Sequence, residues 1–272
     1  MAFDLIAEHW HLFAWGVWTT TVLVTLALGI GALIAIPTAF AMLAGGPLGW
    51  LATGYVYLFR GTPLLVQLYL IYYGLSQFEF VRDSWFWRAP AWLRDICLFS
   101  GDWEVCAADL WPSLRSAWWC ALISFSLNSG AYVAEILRGA LKNTPKGELE
   151  AAAALGLSKG QVRRKIHIPS AFRRALPQYG NEVIFMLHGS AIASVITIQD
   201  ILGAGRTLNA KYYLAYEGLL TAALLYLLIT YLLVFVFQMI EARYLKHLYV
   251  GEDARKPGML ARFLGTPEPA GS

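Results

Sequence analysis

From His9 through Phe59 the chain carries no Asp, Glu, Lys or Arg. A bilayer core is crossed by about 20 residues of helix, so this stretch is too long for one span and long enough for two. Gly45-Gly46-Pro47 supplies the break between them, since glycine accepts backbone conformations closed to other residues and proline interrupts a helix ahead of it. Three further apolar stretches follow, giving spans at about 13–43, 48–78, 116–137, 175–198 and 218–240. The third is uncharged until Glu135, the fourth carries Glu182 and His188, and the fifth has no charge. Overall 58% of residues are hydrophobic and 14% charged, against about 45–50% and about 25% in soluble domains. The expected fold class is an all-α membrane protein with five transmembrane helices. Asp4 and Glu8 stand where a cleavable signal would carry positive charge, so the first stretch is read as a retained span.

Lys and Arg in the flanks set the orientation. The segment 138–174 holds nine of them, from Arg138 to Arg174, against Glu148 and Glu150, which assigns it to the cytoplasm. The C-terminal flank, with Arg243 and Lys246, agrees. The insert 79–112 mixes Arg82, Arg88 and Arg94 with six acidic residues and is assigned to the periplasm, so the N-terminus lies outside and the C-terminus inside. Trp85, Trp87, Trp92, Trp103 and Trp111 crowd this insert, a density that fits a short helix at the outer interface. Cys97 and Cys106 also fall there, in an oxidising compartment where a disulfide is allowed, although sequence does not supply the required Cα spacing. Cys120 is read as a small buried residue. Residues 249–272, rich in Pro, Gly and charge, read as a disordered cytoplasmic tail.

The cytoplasmic segment has its own pattern. Thr144-Pro145 reads as an N-cap with proline at the first helical position, and Glu148 and Glu150 suit the positive end of that helix. Ala151 to Ala154 extend it, and Gly156 is placed to end it in a left-handed cap. Ser158 with Gln161 forms a capping-box pattern for a second helix, which Pro169 closes. A helix–turn–helix with a basic second helix also describes a DNA-binding unit. Apolar spans on both sides argue against that, because a helix tethered at both ends to a membrane could hardly enter a major groove; no nucleic-acid partner is expected.

The run Glu150-Ala151-Ala152, Gly156, Ile166 and Pro169 resembles the EAA loop of permease subunits in ATP-binding-cassette importers, with Ile166-His167-Ile168-Pro169 where the family pattern ends Ile-x-Leu-Pro. The segments from Phe59-Arg60-Gly61-Thr62-Pro63 to Gln67, Asn128 with Ala131-Tyr132 and Ala134-Glu135-Ile136, and Asn181-Glu182-Val183-Ile184 resemble permeases for polar amino acids. The likeness is greatest to the M subunits of histidine and of octopine or nopaline importers. Many relatives have Leu-Lys-Asp-Thr-Ser where this chain has Leu187-His188-Gly189-Ser190-Ala191. The resemblance implies a type I importer permease fold in the bacterial inner membrane. It also implies two permease subunits, as a heterodimer or as two copies, two cytoplasmic ATPase subunits and a periplasmic amino-acid-binding protein. The loop residues that match the motif, Glu148, Glu150, Ala151, Ala152, Gly156 and Pro169, would couple to the ATPase. The chain lacks a Gly-x-x-x-x-Gly-Lys-[Ser/Thr] phosphate loop, so ATP and magnesium belong to the partners, and this chain is expected to be no enzyme and to hold no cofactor.

Polar residues inside the spans are the candidate substrate contacts. Asn128, Tyr132 and Glu135 share one helix face at i, i+4, i+7, which reads either as a pathway wall or as interhelical hydrogen bonding with a local Glu135–Arg138 pair. Glu182 and Gly189 share a face of the fourth span with Ser190 and Ser194 at its flank, and Asn181 and His188 form the neighbouring face. Gly189 reads as a point of local unwinding that frees backbone groups for a polar ligand. Glu182 would meet a cationic substrate such as histidine, arginine, ornithine, lysine or an opine, or else pair with Arg60. Gly61, Gly74 and Gly189 read as close-packing positions. His188 lacks neighbouring ligands at metal-binding spacing, so no metal is expected. A secondary transporter would bring internal repeats, and none is visible.

Overall fold

The computed structural model describes residues 2–83, 97–98, 105–106, 116–213 and 215–244. The tail, most of the outer insert with its tryptophans, and the side chains of Cys97 and Cys106 lie outside the described residues. A short α1 (Ala2–Glu8) leads into α2 (Trp10–Ala44), which matches the first expected span and tolerates Pro37 in its interior. Gly45 and Gly46, both at φ +71°, end it, and Pro47 sits in the first turn of α3 (Gly46–Gly61).

The second expected span, 48–78, is not one helix. Thr62 is extended (φ −114°, ψ 142°), as the residue before a proline tends to be. A new helix, α4 (Leu64–Tyr69), starts after Pro63 and loosens into a π turn at Leu70–Gly74 and a 3-10 turn at Leu75–Gln77. After α5 (Glu79–Arg82), two paired strands, β1 (Cys97–Leu98) and β2 (Val105–Cys106), run antiparallel with Cys97 opposite Cys106.

The third expected span lies in α6 (Ala117–Lys142), the most enclosed of the long apolar stretches among the described residues. The loop helices are α7 (Lys146–Ala154) and α8 (Lys159–Val162). The fourth span is α9 (Ile168–Gly189), continued by a 3-10 segment over Ser190–Ile196. A helix not expected from sequence, α10 (Ile201–Tyr212), precedes the last span, α11 (Ala215–Tyr244). Among the described residues four stretches are long and apolar enough to cross a membrane: Trp10–Ala44, Ala117–Lys142, Lys159–Tyr212 and Ala215–Tyr244.

The core follows from small residues. A Cβ on Gly31 would lie 3.0 Å from the Gly130 nitrogen and 3.1 Å from the Ser126 oxygen, so α2 and α6 approach backbone to backbone, the packing mode that replaces hydrophobic association in lipid. Leu23, Ala27, Leu68, Phe125 and Ile196 are buried in the resulting core. A second cluster, built on Ala35, Ala39, Val56 and Ala134, binds α3 to the same pair. Gly205 and Gly218 make a mutual approach of the same kind between α10 and α11, each Cβ position falling under 3.0 Å from the other's carbonyl oxygen. Gly61 and Gly74, read from sequence as close-packing positions, are not: a Cβ on Gly61 meets nothing within 4 Å, and one on Gly74 meets only Leu70 of its own turn. Gly189 does pack closely, against Leu64 at 3.2 Å.

Candidate functional site

The break at Thr62–Pro63 leaves the last carbonyls of α3 without helical partners. Buried Gln67 repairs this. Its amide nitrogen donates to the Phe59 carbonyl at 2.7 Å, the Thr62 carbonyl at 3.0 Å and the Thr62 hydroxyl at 2.7 Å. Asn128 on α6 donates to the Gln67 side-chain oxygen at 3.0 Å and to the Phe59 carbonyl at 3.3 Å. The broken span is thereby pinned to α6, and a wall of polar groups is fixed beside it.

Of these groups Asn128 lines a cavity of about 660 Å³ between α3, α4, α6 and α9. It lies toward the end of the bundle that carries the loop, because its lining runs to Gly139 and Ala140 in the last turns of α6 and to Arg174 near the start of α9. Asn128, Tyr132 and Glu135 all line it, as their shared face requires. Glu135 is bound by Arg138, whose Nε donates to it at 2.8 Å, and lies 3.9 Å from Arg60. Arg60 also stacks 5.2 Å over the Tyr132 ring. The carboxylate that Arg60 pairs with is therefore Glu135.

Asn181 and Glu182 reach the cavity from α9. Glu182 is 6% exposed, and its carboxylate accepts no side-chain hydrogen bond among the described residues; Arg60 acts on it only through the electrostatic field. Gly180, two residues earlier, lets the Phe237 ring of α11 press against the opposite side of α9, where a Cβ would fall 2.9 Å from the ring. Three expected site residues lie elsewhere. The His188 ring nitrogen pairs with the Thr230 hydroxyl at 3.0 Å, against α11. Ser190 donates to the Leu187 carbonyl at 2.6 Å and Ser194 to the Ala191 carbonyl at 2.9 Å. The winding does change at Gly189, but it tightens rather than opens. The 3-10 turns reuse the carbonyls, and the two serine hydroxyls bond back to carbonyls three residues earlier.

In the loop, Gly156 is left-handed at φ +77°, and the amides of Gly156 and Leu157 bond the carbonyls of Ala153 and Ala152, the Schellman arrangement. The Ser158–Gln161 capping box is formed in both directions. Two local expectations are corrected. Thr144 does not cap α7; its hydroxyl donates back to the Ala140 carbonyl at 3.2 Å, because Pro145 (ψ 128°) takes the N-cap position and turns the chain away. Pro169 does not end the second loop helix but opens α9. The π turn over Arg163–His167 precedes it, widening the backbone where proline supplies no donor and crowds the carbonyl four residues back. Glu150, Ala151 and Leu155 are exposed and Ala152 is buried, leaving a small-sided outer face on α7.

Sequence reasoning passed over Gln67, Arg174, Gln178 and Asp200. The Asp200 carboxylate, fully buried, caps α10 by accepting from the Gly203 amide at 2.6 Å and takes the Tyr226 hydroxyl at 3.2 Å. Asp before an apolar pair was a readable N-cap signal; the roles of Gln67 and Arg174 depend on neighbours far away in the chain. Among the described residues no three His, Cys, Asp or Glu side chains group as a metal would need.

Comparisons with known proteins place the fold in a family. Residues 27–246 match the family described as binding-protein-dependent transport system inner membrane component. The octopine transport system permease protein OccM of Rhizobium radiobacter is 38% identical over 222 residues, 80% of each chain. The histidine/lysine/arginine/ornithine transport system permease protein HisM of Escherichia coli K12 is 35% identical over 257 residues, covering 90% of this chain and 97% of its own. A crystal structure described as an amino acid ABC transporter with histidines superposes with a TM-score of 0.72 at 30% identity, over 89% of this chain and 98% of that one. A methionine ABC transporter in an inward-facing conformation shares the fold, with a TM-score of 0.61 at 17% identity. The chain belongs to the binding-protein-dependent inner membrane components: it is a multi-pass permease subunit of an ABC importer, a transport subunit rather than an enzyme, working with ATPase and binding-protein partners.

Proposed function

We propose that this permease passes cationic amino acids or opines inward, and that Glu182 meets their positive group in the cavity. The observation that carries the reading is a carboxylate buried in the bundle, facing a cavity and without a hydrogen-bond or ion-pair partner among the described residues. An ionised group inside a membrane costs about 2.5–3.5 kcal/mol on insertion scales, and a substrate guanidinium or ammonium offsets that cost through a charge-assisted hydrogen bond. Arg60, the basic residue on the cavity wall beside Glu182, is engaged by Glu135 and Tyr132. Relatives are named for octopine and for histidine, lysine, arginine and ornithine, molecules that bear cationic or protonatable groups, which supports this reading.

In the assembly proposed here, the chain spans the membrane five times, the broken helix α3–α4 counting as the second span, with its N-terminus outside. It pairs with a second permease subunit, as a heterodimer or as two copies. Two ATPase subunits, holding ATP and magnesium, dock on the exposed face of α7 with Glu150, Ala151 and Gly156. The test is reconstitution with the ATPase and binding protein that co-purify. Uptake of labelled arginine into vesicles should require ATP and be competed by lysine, ornithine, histidine or octopine, and not by glutamine. Competition by neutral and cationic amino acids alike would overturn the cationic reading. A reporter fused after Arg243 that reads periplasmic would overturn the topology.

A further inference from the structure

We propose that the Glu148–Arg174 ion pair is the side-chain link that carries the position of loop helix α7 into the cavity wall, making Arg174 a positioning residue for the permeation path. The Arg174 Nη2 donates to one Glu148 oxygen at 2.7 Å. The Ser170 hydroxyl donates to the other oxygen at 2.7 Å and accepts from the Arg174 Nε at 3.4 Å. The three side chains close a ring between α7 and the first turns of α9. Both ionic groups are about one-third exposed or less, at 34% for Glu148 and 29% for Arg174, and the bonds are of the charge-assisted kind.

Three features make this ring a transmission element and not one more surface pair. Among the described residues, every side-chain hydrogen bond or ion pair that reaches from α7 to another element is made by Glu148. The backbone route from α7 to α9 is indirect, since it passes a left-handed glycine turn at Gly156 and the π turn over Arg163–His167. The ring bypasses both. Finally, Arg174 is itself part of the cavity lining, with Gln178, Asn181, Glu182 and Phe185 following on the same face of α9. A displacement of α7 by a docked ATPase therefore pulls or releases a guanidinium at the loop end of the path. Coupling of this kind needs an element that both sites bias, and α9 is that element.

This inference rests on the loop docking to an ATPase and is independent of which substrate is carried. It is tested in the assembled complex with a Gln178→Cys reporter one turn along the same face. The probe is a trimethylammonium methanethiosulfonate, and the labelling of complexes lacking the reporter is subtracted. Nucleotide-free and vanadate-trapped ATP states should differ in labelling rate at least about fivefold. Glu148→Gln and Arg174→Gln should each cut that difference below about twofold while the ATPase subunits still co-purify. The swapped pair Glu148→Arg/Arg174→Glu should restore at least half of it. A nucleotide-dependent difference that survives both single variants would overturn the proposal. So would loss of the ATPase subunits in the single variants, which would make the pair a brace for the docking loop, or a swap that restores nothing.

Discussion

Replacing Gln67 by leucine isolates the device that holds the second span open. The side chain keeps its volume but loses four hydrogen-bonding contacts: donations to the Phe59 carbonyl, the Thr62 carbonyl and the Thr62 hydroxyl, and acceptance from Asn128. Not all of these groups become orphans. The Phe59 carbonyl keeps Asn128 at 3.3 Å, and the Thr62 hydroxyl already donates to the Leu58 carbonyl at 2.7 Å. That leaves the Thr62 carbonyl and one Asn128 amide hydrogen. A buried unsatisfied group costs about 1–3 kcal/mol, and Asn128 can recover part of its share from water in the cavity it lines. Membrane hydrogen bonds measured by double-mutant cycles average only about 0.6 kcal/mol, because the unfolded reference finds partners too. The expected destabilisation is about 2 kcal/mol, or roughly a thirtyfold shift in the unfolding equilibrium at 1.4 kcal/mol per factor of ten. Unfolding of the purified subunit in mixed micelles by increasing SDS measures it. Asn128→Leu should cost a similar amount, and the double variant clearly less than the sum, since the two side chains share one network. Destabilisation below about 0.5 kcal/mol, or strict additivity, would refute the reasoning.

Three further outcomes follow from particular contacts. Gly205→Leu should insert in the membrane but lose about 1–3 kcal/mol or more by overpacking, since its Cβ would sit 2.7 Å from the Gly218 oxygen; SDS unfolding of the variant reads this directly. Gly156→Asp places a side chain at φ +77°, costing about 1–2 kcal/mol, and together with Glu150→Lys should weaken co-purification of the ATPase several-fold while membrane insertion is unchanged. Cys97 and Cys106 are register partners, which places antiparallel Cα atoms about 4.5–5.5 Å apart, inside the disulfide range; alkylation without reductant followed by mass spectrometry should find the pair protected, and finding both alkylated would count against it.

Much of the architecture was legible because lipid is an unforgiving solvent. A run without charge from His9 to Phe59 admits few readings, and the glycine break at Gly45-Gly46 falls where the backbone demands it. The loop was legible for a different reason: capping is local, so Ser158–Gln161 and Gly156 announce themselves within four residues. What stayed hidden depended on distant partners. Residues 48–78 read as one span because nothing near Thr62-Pro63 in sequence shows that Gln67 and Asn128 satisfy the carbonyls freed by a break there. Thr144 looked like a cap because the pull of the preceding helix on its hydroxyl is not written in the motif. Helical spacing put Asn128, Tyr132 and Glu135 on one face, and all three line the cavity; it put Asn181 and Glu182 on neighbouring faces, and the folded chain brings both to the same cavity. It did not separate these from His188, Ser190 and Ser194, whose hydrogen bonds turn them toward α11 or toward their own backbone. Arg174 was counted among the positive charges of the loop, and only the folded chain places it between Glu148 and the cavity.

The central claim is that the buried carboxylate of Glu182 receives the cationic group of the substrate. Its most direct test is Glu182→Gln in the reconstituted complex, with uptake of labelled arginine measured beside ATPase association and nucleotide-dependent closure. A hydrogen bond to a charged group is worth about 1.5–3 kcal/mol, so arginine uptake at limiting substrate should fall by about tenfold to a hundredfold, with assembly and closure intact. Normal arginine uptake by the variant, or a loss traced entirely to failed assembly, would contradict the account.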